Sequence, residues 1–144
     1  MPAIFEWNHT VVDADLDGLG HANNISYLKW MQSAALAHSA AQGWPVEAYA
    51  ALGSGWVVRS HFIEYLSPAL RGDTIIVRTW VADMKKVTSL RRYRIVTARK
   101  DQEVVLAKAQ TNWAFVDYRT SVPKRIPPQI LGSFEIPTDD LVAD

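Results

Sequence analysis

The stretch Asp13-Ala14-Asp15-Leu16-Asp17-Gly18-Leu19-Gly20-His21-Ala22-Asn23-Asn24-Ile25-Ser26-Tyr27 sets three carboxylates, two glycines, one histidine and two asparagines between two apolar segments. Before it, residues 4–12 mix apolar and β-branched side chains as a strand does; after it, residues 25–42 are alanine-rich and suit a helix. The stretch therefore reads as a strand-to-helix loop. At such a junction the first backbone N–H groups of the helix have no internal acceptor and carry the positive end of the helix dipole. They donate readily to an oxyanion or a polarised carbonyl. Gly18 and Gly20 let the backbone bend close to a ligand, and Asn23 or Asn24 can cap the helix.

Downstream of the loop, Ile25, Leu28, Met31, Ala34, Ala35 and His38 recur at helical spacing, with Gly43 as a stop and Pro45 beyond it. At 1.5 Å per residue this predicts a helix of roughly 27 Å. Trp30, Leu36, Ala37, Ala40 and Ala41 widen its apolar face, so the helix is expected to be covered on several sides. Residues 46–52 suit a further helical turn or two. From Trp56 the period changes: residues 56–65, 73–83, 88–99 and 103–117 are each rich in Val, Ile, Thr, Trp, Tyr and Phe, and read as four strands. The separators (Ser67-Pro68 with Gly72, then Met84-Lys85-Lys86, then Lys100-Asp101-Gln102) are turn-sized, which predicts a largely antiparallel meander. Together these elements define an α+β domain in which a curved, five-stranded antiparallel sheet wraps one long central helix. Residues 1–144 are expected to form a single domain. Its tail starts at about residue 123, where Pro123, Pro127, Pro128 and Pro137 discourage regular structure.

Composition narrows the function. The 15 basic and 15 acidic residues balance, with a pI near 6.9, so nothing global calls for nucleic acid or an anionic membrane as partner. The absence of cysteine excludes disulfides, thiolate metal sites and a cysteine nucleophile. No basic segment followed by an apolar run opens the chain, and no apolar stretch approaches the roughly 20 residues of a membrane helix; the expected location is cytoplasmic. His9, His38 and His61 show no ligand spacing, so neither a metal nor another cofactor is expected.

The pattern Asp-x-Asp-x-x-Gly-His-x-Asn-Asn-x-x-Tyr, from Asp15 to Tyr27, resembles the motif of hotdog-fold acyl-CoA thioesterases of the 4-hydroxybenzoyl-CoA thioesterase-like branch. The resemblance extends more loosely through Ile63-Glu64-Tyr65-Leu66-Ser67-Pro68-Ala69-Leu70-Arg71-Gly72-Asp73, and through Asp117-Tyr118-Arg119-Thr120 and Arg125-Ile126-Pro127. It implies a hotdog fold and hydrolysis of an acyl-CoA to a carboxylic acid and free CoA. Such chemistry needs a carboxylate to attack the carbonyl or activate water, and fixed donors for the oxyanion. By the resemblance, Asp17 is the catalytic carboxylate, and the helix N-terminus near Asn24 polarises the thioester carbonyl. His21 is a catalytic candidate that otherwise serves as a structural donor. Gly20, Asn23 and Tyr27 are substrate-binding candidates whose alternative roles are turn, cap and core. Asp13 and Asp15 read as loop-shaping residues. Another branch of hotdog thioesterases carries its catalytic Glu on the central helix, but no Asp or Glu occurs between Gly18 and Val46 here, so only the loop aspartates remain in reach unless Glu64 arrives from a strand.

Seven basic residues and no acid lie between Met84 and Lys100. They read either as a solvated strand face or, as the resemblance implies, as a surface for CoA phosphates, with Arg91 and Arg92 as the candidates. Strand alternation sends Arg91 and Arg92 to opposite faces. The resemblance further implies a homodimer or homotetramer. A non-catalytic acyl-CoA sensor, or a dehydratase or isomerase acting on acyl thioesters, is the rival reading. The acyl group, aromatic or aliphatic, depends on which of Trp30, Trp56, Phe62, Tyr65 and Trp80 point inward.

Overall fold

The computed structural model describes residues 3–138. Strand β1 (Phe5–Thr10) leads through a short 3-10 turn (Asp13–Asp15) to helix α1 (Asn24–Ala41) and the two-turn helix α2 (Val46–Leu52). Strands β2 (Ser54–Tyr65), β3 (Thr74–Met84), β4 (Thr88–Arg99) and β5 (Gln102–Asp117) follow, then the single-turn helix α3 (Pro128–Leu131). The five strands form one sheet in the order β1-β3-β4-β5-β2, and every neighbouring pair is antiparallel.

This order departs from a simple meander. Only β3, β4 and β5 are hairpin neighbours, whereas β2 lies beyond β5, so residues 66–73 carry the chain across the end of the sheet. Long-range contacts hold that crossover down: Leu66 and Ser67 N–H donate to the Leu106 carbonyl, Ala22 N–H donates to Ala69 O, and Arg99 pairs with Asp73 and donates to Pro68 O. No turn motif encodes these partners. They exist because the sheet curves enough to bring both of its sides over α1.

Helix α1 begins where Asn23 accepts a hydrogen bond from Ile25 N–H at 3.0 Å, an N-cap. Tyr27, Trp30, Met31, Ala34, Ala35 and His38 form its buried stripe, at the spacing of one helical face. They pack on Val77, Tyr93, Ile95 and Leu106 of the sheet. The opposite side stays open within the single chain: Ile25 is 60 % exposed and Leu36 48 %, so the expectation of cover on several sides is not met by this chain alone. Trp30 and Trp80 are buried, Trp56 is half-buried, and Phe62 and Tyr65 are exposed.

A second core cluster closes the far end, where Ile126, Ile130 and Phe134 pack with Tyr49, Val81 and Phe115. Part of the predicted tail is therefore core: Pro123 bridges to Val116, and Pro128, at the start of α3, costs no hydrogen bond there. Residues 139–144 of that tail lie outside the described residues. No helix among the described residues is long and apolar enough to cross a membrane.

Candidate active site

Between the 3-10 turn and α1 the loop folds back on itself. Leu16 bridges to Ala22, Asp17 N–H donates to His21 O at 2.7 Å, and Gly20 takes the left-handed φ of +82° that the bend requires. The two aspartates of the motif have different surroundings. Asp15 Oδ2 accepts from the His9 ring at 2.8 Å and from Val12 N–H at 3.0 Å, and its backbone carbonyl accepts from Asn23 N–H and the Ser26 hydroxyl. Burial alone pushes the Asp15 carboxyl up, but the Val12 N–H, the His9 contact and the nearby Lys29 charge outweigh it and leave it below its ordinary value. His9 itself stacks on Trp7 and tilts against Trp30. Asp15 thus ties β1 to the start of α1.

Asp17 is exposed, and its Oδ1 accepts from Leu19 N–H at 2.8 Å and His21 N–H at 3.2 Å. Those bonds hold the carboxylate in one orientation while Oδ2 stands outside them. A cleft of about 250 Å³ opens beside it, walled by Asp17, His21, Ala22, Asn24, Tyr27 and the segment Tyr65-Leu66-Ser67-Pro68. Four of the predicted residues, Asp17, His21, Asn24 and Tyr27, meet there. Asn24 is the first residue of α1, so its N–H has no acceptor within the helix. The Tyr65 hydroxyl donates to its carbonyl at 3.1 Å. The Tyr27 hydroxyl accepts from Ala69 N–H at 3.0 Å and its ring meets Tyr65 edge-on at 5.0 Å; burial raises the Tyr27 pKa. Gly20 and Asn23 shape the loop and cap the helix behind this wall.

The arginines divide as strand alternation requires. Arg92 is exposed on the outer face. Arg91 is only 7 % exposed, and its Nη1 donates to His38 Nδ1 at 2.9 Å and Thr79 Oγ1 at 3.0 Å. A surface contact of Arg91 with CoA phosphates is therefore corrected: that side chain points inward, and neither arginine borders the cleft of Asp17. Ser67-Pro68, read from sequence as part of a turn, supplies a cleft wall together with Leu66; their role depends on the crossover, for which the chain carries no local signal. Among the described residues, no group of three or more His, Cys, Asp or Glu is arranged to hold a metal ion.

The helix wrapped by a curved antiparallel sheet is the hotdog fold, and the motif loop lies at the N-terminus of its helix. A family model of the thioesterase-like superfamily matches residues 11–134, and the chain belongs to that superfamily. Membership places it among thioester hydrolases. It is 25 % identical over 132 residues to the acyl-CoA thioester hydrolase YbgC of Escherichia coli, covering 92 % of this chain and 96 % of that protein. Among solved structures it resembles Slr0204, a 1,4-dihydroxy-2-naphthoyl-CoA thioesterase from Synechocystis (TM-score 0.81, 20 % identity, 90 % of this chain and 94 % of that one). It also resembles the hypothetical protein SAV2348 from Staphylococcus aureus in complex with CoA (TM-score 0.82, 14 % identity, 90 % and 80 %).

Proposed function

We propose that this protein hydrolyses an acyl-CoA to a carboxylic acid and free CoA, with the thioester bound in the cleft at the start of α1. The observation that carries this is the convergence of Asp17, His21, Asn24 and Tyr27 on one cleft. The helix dipole and the Asn24 N–H, which has no acceptor within the helix, favour negative charge developing on the thioester oxygen. Asp17 acts in one of two ways. As nucleophile, its carboxylate adds to the carbonyl carbon and expels the CoA thiolate, which takes a proton; water then cleaves the mixed anhydride. As general base, it takes a proton from water while the hydroxide adds to the carbonyl, and the tetrahedral intermediate expels the thiolate, which recovers that proton. Both routes give the same products. His21 lines the path of the attacking water, Tyr27 packs the acyl side, and Gly20 and Asn23 keep the loop in register. Arg92 holds CoA phosphates at the surface.

A homodimer completes the assembly. Strand β2 ends the sheet, with one edge unpaired in the chain, and it exposes Val57, Val58 and Phe62, the last at 62 %. A second copy added along that edge covers these side chains and pairs the backbone.

The test is Asp17→Asn. Asn retains an acceptor for Leu19 and His21 N–H, so the loop should hold its shape, while the charge is lost. Turnover of a panel of aromatic and aliphatic acyl-CoAs, followed by release of free thiol, should fall by roughly 10² or more in kcat. Asp15→Asn should cost less in kcat and more in stability, because Asp15 bonds His9 and Val12. Near-normal turnover by Asp17→Asn refutes the mechanism. Binding without hydrolysis by the unmodified protein favours the sensor reading.

A further inference from the structure

At the other end of α1 the structure holds a second cavity, of about 120 Å³. Its walls include Trp44, Trp56, Val81, Met84, Trp113 and Phe134, and the one charged group on them is Arg91. Ser39, also on the wall, lies 15 residues beyond Asn24 in the helix, about 22 Å along the axis at 1.5 Å per residue. One small ligand cannot span both sites.

Among the described residues, Arg91 has no charge partner there. Its two Nη1 contacts are neutral: Thr79 Oγ1 is a hydroxyl that itself donates to Arg92 O, and His38 Nδ1 must be an unprotonated acceptor, because a guanidinium only donates. No ion pair joins Arg91 to a carboxylate among the described residues. Several other polar groups on this wall are already partnered: the Ser39 hydroxyl donates to Trp44 O and meets the Tyr49 hydroxyl at 2.8 Å, Trp56 Nε1–H donates to Tyr49 at 3.2 Å, and Trp44 Nε1–H donates to Ser133 Oγ. A guanidinium taken out of water without a counter-charge is costly, and this one opens on an apolar space lined by aromatic rings.

We propose that this cavity is a binding site for a small organic carboxylate with an aromatic or compact apolar body, its carboxylate paired with Arg91 and its body among the aromatic side chains. The site is independent of hydrolysis at Asp17. At about 120 Å³ the cavity is a little smaller than the apolar cavity of about 150 Å³ that takes up benzene, so it encloses only part of such a ligand. The mouth, where Val46 is 61 % exposed and Tyr118 47 %, leaves room for part of the body to remain outside. A guanidinium supplies parallel donors that match the two oxygens of a carboxylate.

Benzoate is the probe, and benzamide, its neutral near-isostere, is the control. Tryptophan fluorescence and titration calorimetry on the full chain read binding, since Trp44, Trp56 and Trp113 line the cavity. Benzoate should saturate one site per chain and bind about tenfold or more tighter than benzamide, the scale expected for a charge-assisted pair. Arg91→Met, of similar length and uncharged, should abolish the preference, and Val46→Trp, which fills the mouth without touching Arg91, should weaken both ligands. No saturable benzoate binding, equal affinity for benzoate and benzamide, or a preference that survives Arg91→Met overturns the proposal. So does benzoate binding that Val46→Trp leaves unchanged and Asp17→Asn removes, which assigns it to the catalytic cleft. If Arg91→Met fails to fold, the benzamide comparison and Val46→Trp decide.

Discussion

Replacing His38 by Asn should flatten the acid side of the stability curve. The His38 ring is 2 % exposed, stacked on Phe5 at 5.2 Å and met edge-on by Phe134. Burial, and then the Arg91 charge beside it, hold its pKa down to about 4, from 6.5 for the free side chain. Below pH 6.5 the unfolded chain binds a proton that the folded chain refuses, so stability falls as the pH falls, until the folded form also titrates near pH 4. These two values give a loss of about 2 kcal/mol by pH 5 and about 3 kcal/mol by pH 4, relative to neutral pH. Asn places an amide oxygen near the position of Nδ1, retains an acceptor for Arg91 Nη1 and does not titrate. Urea unfolding at fixed protein concentration, followed by tryptophan fluorescence between pH 7 and 5, measures the difference. His61, whose pKa burial also lowers, contributes with the same sign in both proteins and cancels. Equal loss of stability in the unmodified protein and His38→Asn over that range refutes the assignment of a neutral, buried His38.

The other expectations concern the surface and the far core. Arg92→Ala should raise KM for acyl-CoA while leaving a thioester without the nucleotide nearly unaffected, the mark of lost uniform binding; equal effects on both count against a phosphate contact. Phe62→Asp puts a charge on the exposed edge strand and should shift sedimentation toward monomer, whereas an unchanged sedimentation coefficient argues for another interface. Ile130→Ala removes a side chain with 0 % exposure and should cost about 2–5 kcal/mol in unfolding free energy. A loss well below 1 kcal/mol would mean that α3 is only loosely attached.

The sequence by itself determined the elements whose causes are local. Helical spacing and a cap at Asn23 or Asn24 marked α1 to within one residue at each end, and β-branched runs marked β2 to β5. The motif from Asp15 to Tyr27 was legible for a related reason: its glycines, cap and carboxylates act within a few residues of one another, as the bonds from Leu19 and His21 N–H to Asp17 show. What tertiary structure decided was everything that depends on partners distant in the chain. Turn-sized separators could not reveal that β2 pairs with β5 and lies apart from β3, because strand order depends on which edges meet once the sheet has curved. Nor did they reveal that residues 66–68 would wall the cleft. Proline content reads as discouraging regular structure after residue 123, yet Pro128–Leu131 forms α3, and Ile126, Ile130 and Phe134 found a core because α2, β3 and β5 leave an apolar recess there. Alternation separated Arg91 from Arg92, but only the fold decided which faced inward: the concave face of the sheet is the one that meets the helix, and His38 and Thr79 are there to receive Arg91.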